Sequence, residues 1–169
     1  MVKELRERTN AGVKECKDIL TETGGDIHKA IEILRERGIE AAEKKQSREA
    51  REGRIEVYMH QGSRLAAMVE VNCETDFVAN NDAFVALCRD LAMHIAATSP
   101  RYMTTEEVST EEVQESGLEA DKYYEQHVLM KQPFIKDASI SVEDKVKEHI
   151  AMIGENIVIR RFARYEVGD

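Results

Sequence analysis

From Val2 to Leu34 the apolar residues Val2, Leu5, Cys16, Ile19, Leu20, Ile27, Ile31 and Leu34 fall at helical spacing, interrupted at Thr9-Asn10-Ala11-Gly12 and again at Thr23-Gly24-Gly25-Asp26. Side chains three and four positions apart share one face of a helix, so the pattern predicts three short helices separated by two turns. Asp26 is placed to cap the third helix and Gly38, after Arg37, to stop it. Residues 1–39 thus read as a three-helix unit resembling the ubiquitin-associated (UBA-like) type. So small a core is marginal, and units of this kind are more often docking modules than catalytic ones. Residues 40–53 are almost all Ala, Glu, Lys, Arg, Gln and Ser. With no apolar stripe, they predict a solvated charged linker, or else a basic contact patch for an acidic partner.

At Arg54 the period changes from helical to alternating. Ile55, Val57 and Met59 alternate, Gln61-Gly62-Ser63 supplies a turn, and Leu65, Ala67, Val69 and Val71 resume the alternation, which predicts a β-hairpin. At its end Val69, Val71 and Cys73 point to one side and Glu70, Asn72 and Glu74 to the other. The alternation breaks at Thr75-Asp76, either of which can cap a new helical turn and so place Phe77 in that first turn. An aromatic ring there is either a core plug or a probe directed outward. Cys73 and the valines already supply the inward side of the strand, and Phe84 begins the stripe of the next helix. Phe77 is needed for neither pattern, which favours the probe; a buried ring would favour the plug.

A long helix from about Asn81 to Thr98 carries Phe84, Leu87, Cys88, Leu91 and Ile95 on one stripe, to cover one face of the hairpin. Pro100 ends it. Residues 101–126 hold eight acidic against two basic side chains with weak apolar patterning, so they read as a peripheral acidic excursion of polar helices. Tyr123, Tyr124, Val128 and Leu129 form a better helical stripe, and Gln132 to Asp137 is an irregular segment halted by Pro133. Ser141 to Ile153 is a helix with Val142, Val146 and Ile150 inward, ended by Gly154. The run Asn156 to Val167 is a strand that returns to the hairpin. The fold class is therefore α+β, with a core over residues 54–169 made of a three-stranded antiparallel sheet and helices on one face.

Charge narrows the partners. Of the net −9, residues 1–54 contribute almost nothing, with 13 Lys and Arg against 12 Asp and Glu, so the excess sits on the core. Phosphate binding needs a net basic face, which argues against direct contact with nucleic acid and for a protein partner. No run of about 18 apolar residues is present, and the N-terminus enters a charged amphipathic helix at once; the expectation is a soluble, cytoplasmic protein with no membrane contact. Three well-separated cysteines in apolar settings suggest buried thiols, with neither a disulfide framework nor a zinc site. Phosphate-loop, dinucleotide and zinc-protease motifs are missing, and the five histidines stand singly. No cofactor, metal ligand set or catalytic residue is therefore assigned. A thiol and base pair of Cys73 with His60 across the hairpin is the one weak enzymatic alternative.

Two longer motifs carry a resemblance. Leu5-Arg6-Glu7-Arg8-Thr9-Asn10-Ala11-Gly12-Val13-Lys14-Glu15-Cys16-Lys17 is similar to the N-terminal signature of the bacterial elongation factor Ts family, and Glu70-Val71-Asn72-Cys73-Glu74-Thr75-Asp76-Phe77-Val78-Ala79-Asn80 resembles its core signature. The likeness continues through Glu125 to Asp137 and Gly154 to Glu166 and is weakest over residues 101–121. It implies a guanine-nucleotide exchange factor, not an enzyme, acting on the translational GTPase elongation factor Tu. The N-terminal module would dock through Thr9, Asn10, Ala11, Gly12, Val13 and Lys14. Thr75, Asp76, Phe77 and Val78 would intrude near the nucleotide's magnesium, with Phe77 as a wedge between GTPase helices and Asp76 helping to rearrange groups around the metal. Lys14 departs from the family's apolar residue, which makes that contact partly electrostatic. Asp18 and Ile19 also depart, replacing the commoner basic and small residues. Long members carry two core modules and this chain has room for one, so pairing of two chains as a homodimer fits the resemblance. The alternative is a UBA-like adaptor without exchange activity.

Overall fold

Two apolar clusters organise the computed structural model, which describes residues 1–9 and 11–169. The smaller joins helices α1 (Val2–Thr9), α2 (Val13–Glu22) and α3 (Ile27–Glu43) through Leu5, Cys16, Ile19, Leu20, Ala30 and Leu34. All of these except Ala30 are residues the helical spacing selects. Asp26 caps α3 as predicted, its carboxylate accepting from the amides of His28 and Lys29 at 3.0 and 3.1 Å.

The larger cluster is built on a hairpin of β1 (Glu52–Met59) and β2 (Leu65–Cys73), followed by the short α4 (Asp76–Ala79) and the long α5 (Asp82–Thr98). A polar stretch holding α6 (Thr110–Ser116) and α7 (Ala120–His127) leads to a small ribbon, β3 (Pro133–Phe134) with β4 (Asp137–Ser141). Helix α8 (Val142–Ile153) and strand β5 (Val158–Glu166) complete the chain. The main sheet runs β1-β2-β5, antiparallel throughout, with β2 central. Helix α5 lies across its inner face, and Phe84, Leu87, Cys88, Leu91 and Ile95 are all buried there against Val69, Val71 and Cys73. The predicted antiparallel sheet packed with helices is thus present.

Two local readings need correction. Gly38 does not stop α3, which continues to Glu43. A Cβ at that position would lie 3.2 Å from Cβ of Ala151 on α8, so the glycine permits close approach of two helices and is not a terminator. The continuation buries Ala42 in the larger cluster and Asn156 donates to the carbonyls of Gln46 and Arg48, so the stretch is anchored at these points while most of its side chains stay solvated as expected. The irregular segment at Pro133 is the β3–β4 ribbon: proline sits on an edge where no ladder amide is required, and Phe134 next to it is buried.

The register also sets the faces of the hairpin's two apolar sets, which point to opposite sides. The register pairs Val57 with Met68 and Glu56 with Val69. Ile55, Val57 and Met59 therefore look outward with Met68 and Tyr165, and all five are exposed, while Arg54, Glu56 and Tyr58 are the β1 residues beneath α5. One glycine is obligatory here. Gly53 stands opposite Asn72 at φ +147°, and a side chain would run into the Val71 carbonyl.

His94 on α5 is buried and neutral by its partners. The Ile135 amide donates to its Nδ1 at 3.1 Å, so that nitrogen must keep its lone pair, and Nε2–H donates to Oε1 of Gln132 at 2.9 Å. Burial holds its pKa below the ordinary histidine value, and burial lowers that of His149 as well. The unfolded chain then binds more protons, so stability is complete above about pH 6.5 and declines as pH falls from there through the lower folded-state pKa. The unfolding free energy from urea titration is expected to fall between pH 7.5 and pH 5.5, by at most about 1.4 kcal/mol per pH unit for each histidine. His94→Gln should flatten that slope; an unchanged slope would refute the assignment.

Candidate functional site

The site grows from the exit of β2. Once Cys73 has made its last ladder pair with Glu52, the chain turns, and Thr75 becomes the N-cap of α4, its hydroxyl accepting from the Val78 amide at 3.4 Å. Four residues are too few for a helix stable by itself, so the turn depends on its attachments. Val78 is half-buried and Ala79 buried against the core, which fixes the inner side. The outer side carries Asp76 and Phe77. Phe77 is 85% exposed, the most exposed large apolar side chain among the described residues.

The turn is clamped from a distant part of the chain. Glu155 accepts from the amides of Glu74 and Thr75, each at 3.0 Å, and from the Thr75 hydroxyl at 2.6 Å. Glu74 accepts in return from the Asn156 amide at 2.7 Å and pairs with Arg48 at 3.7 Å. Neither periodicity nor motif spacing singles out Glu155, Asn156 or Glu74 for a role. The signal was modest: two polar residues directly after Gly154, which takes φ +88° as the α8 C-cap and aims the following chain at the β2 exit.

Among the N-terminal candidates, Thr9 closes α1, donating to the Leu5 carbonyl at 2.7 Å and accepting from the Ala11 amide at 3.3 Å. Gly12 is the N-cap of α2, and Val13 and Lys14 in its first turn are exposed. Asn10 lies outside the described residues. A cleft of about 760 Å³ runs beside this turn between α3 and α8, with Thr9, Ala11, Leu34, Gly38, His149 and Met152 in its walls. The two candidate regions stand on different apolar clusters, the first turn on the smaller and the Phe77 turn on the larger.

The thiol alternative fails on register. Cys73 pairs with Glu52 at one end of the hairpin, whereas His60 follows Met59 at the other and bonds the Tyr58 hydroxyl at 3.0 Å. Burial and the Glu155 charge push the Cys73 thiol up to about 11, and burial pushes Cys88 up to about 12. A thiolate nucleophile is disfavoured at both. Among the described residues no three acidic, histidine or cysteine side chains converge to hold a metal ion, and no helix is long and apolar enough to cross a membrane.

Comparison with known proteins places these motifs in one context. Residues 1–120 match the family model described as Elongation factor TS. The chain is 51% identical to Elongation factor Ts of Herpetosiphon aurantiacus, over 99% of its own length and 96% of the relative's. It is 46% identical to Elongation factor Ts of Heliobacterium modesticaldum, covering the whole chain and 89% of that protein, and equally so to that of Desulforamulus reducens, covering 88% of it.

Proposed function

This chain belongs to the elongation factor Ts family, and from that premise we propose that it is a guanine-nucleotide exchange factor for the GTPase elongation factor Tu. The observation that supports the reading most directly is Phe77, an aromatic ring exposed to water on a turn that is otherwise clamped. An exposed ring on a mobile loop would lose its gain on binding to ordering. A ring already held in place does not. In the proposed mechanism the UBA-like module docks through the turn at Thr9 to Lys14, the Thr75–Val78 turn enters near the nucleotide's magnesium, Phe77 wedges between GTPase helices, and Asp76 disturbs the groups around the metal. Losing magnesium removes the main neutraliser of the β-phosphate, and the nucleotide leaves.

No covalent step is involved. A factor that binds the empty GTPase more tightly than the loaded one must weaken nucleotide binding by the same ratio. The proposed setting is the cytoplasm, with a protein partner and without nucleic acid or membrane. The outward sheet face of Ile55, Val57, Met59, Met68 and Tyr165 supports pairing with a second copy, since an identical patch on each chain meets itself across a two-fold axis.

The test is release of fluorescent GDP from elongation factor Tu with and without this protein. Acceleration is expected, together with a complex that survives gel filtration only when nucleotide is absent. Equal release rates would overturn the reading. Stable binding without acceleration would favour the adaptor.

A further inference from the structure

We propose that Glu155 is a positioning residue for exchange: its carboxylate fixes the direction in which the α4 turn presents Phe77. The inference rests on the wedge reading of Phe77 and adds the group that makes the wedge stiff.

Val78 and Ala79 hold the inner side of the turn on the core, and Cys73 Sγ donates to the Thr75 carbonyl at 3.2 Å, but the strand-side amides that set its direction need a further partner. The β2 ladder ends at Cys73 toward β1 and at Asn72 toward β5, so the amides of Glu74 and Thr75 lie beyond its last pairs. Helix α4 is four residues long and cannot nucleate by itself. Phe77, the bulkiest residue of the turn, points to water and anchors nothing. Glu155 supplies what is missing. One carboxylate oxygen takes both amides and the other takes the Thr75 hydroxyl hydrogen, which obliges that hydroxyl to offer a lone pair to the Val78 amide. The cap of α4 is thus oriented through Glu155. Bonds to an ionised acceptor are shorter and stronger than neutral ones, and here three converge on one carboxylate.

Glu155 is itself held. It follows the α8 C-cap, and the next residue, Asn156, donates its amide to Glu74 and its side chain to the Gln46 and Arg48 carbonyls. The two segments exchange carboxylate-to-backbone bonds in both directions, Glu155 to residues 74 and 75 and Glu74 to residue 156. A pair of reciprocal bonds resists twisting where a single one would act as a pivot. Glu155 itself needs no contact with the GTPase for this role.

The experiment is a double-mutant cycle on GDP release from elongation factor Tu at saturating factor, using wild type, Phe77→Ala, Glu155→Ala and the double variant. Misplacing a reacting or wedging group by an ångström costs one to two powers of ten, so Glu155→Ala should slow release by about tenfold. The half-saturating concentration should change far less, because the N-terminal contact is untouched. In the Phe77→Ala background the Glu155 substitution should cost far less than in wild type, only what misplacing Asp76 adds, since no wedge remains to aim. Glu155→Gln, which keeps the shape and one carbonyl acceptor, should fall between wild type and Glu155→Ala and covers the case in which the alanine variant fails to fold. Losses that add in the Phe77→Ala background, for either Glu155 variant, would overturn the positioning role and leave the wedge standing. A wild-type rate for Glu155→Ala would do the same. A wild-type rate for Phe77→Ala would remove the wedge itself, and this proposal with it.

Discussion

Replacing Phe77 with alanine is expected to slow GDP release from elongation factor Tu by about a hundredfold, the scale of a central aromatic hot spot. The fold should not notice. With 85% of the residue in water, truncation opens no cavity, and the unfolding midpoint should stay within about 0.5 kcal/mol of wild type, as for other surface changes. This separation of effects makes the variant informative. A loss of exchange at unchanged stability cannot be charged to unfolding. Phe77→Leu retains apolar volume without the flat ring and should lie between the two. The measurement is stopped-flow release of fluorescent GDP; a rate for Phe77→Ala equal to wild type would refute the wedge.

Replacing Met68 with lysine is expected to convert the proposed homodimer into a 19.2 kDa monomer. Met68 sits on the central strand of the outward face, flanked by Val57 on β1 and Ala163 on β5. In the free chain it is 46% exposed, so the substitution leaves the monomer's packing alone. Inside an apolar interface the ammonium would lose its water with no partner, and two-fold symmetry imposes that cost twice, enough to weaken association by more than about a hundredfold. Sedimentation equilibrium at micromolar concentration reads the outcome. Wild type sedimenting as a single chain would dispose of the dimer before any variant is made.

Which of these features the amino-acid order discloses depends on how far the interacting residues lie apart. The freedom of Phe77 was legible, because Cys73, the valines and Phe84 already filled every inward position and left the ring unassigned. A cap at Thr75 or Asp76 was legible as well, being local, and the structure assigns it to Thr75. The Glu155 clamp was not, since its partners lie about eighty residues upstream and no periodicity links them. The outward set Ile55, Val57 and Met59 alternates just as an inward set would; only the pairing of Val57 with Met68 decides the face. Gly38 misled for a related reason. A glycine near a helix end is a stop in isolation, and only the presence of Ala151 across the gap makes it a contact point.

That contact point has a mechanical meaning. Helix α3 starts in the smaller cluster and ends in the larger, and along α8 it is fastened by Gly38 against Ala151, by Arg35 to Glu148 at 2.9 Å and by Lys147 to Glu43 at 3.1 Å. The chain is therefore built like a caliper. In the proposed docking mode one jaw carries Val13 and Lys14, the other carries Phe77, and α3 is the beam that sets the gap between them. A partner gripped at both jaws is selected by span as well as by chemistry, and any bend it makes that alters that span is paid for by the partner and not by the beam.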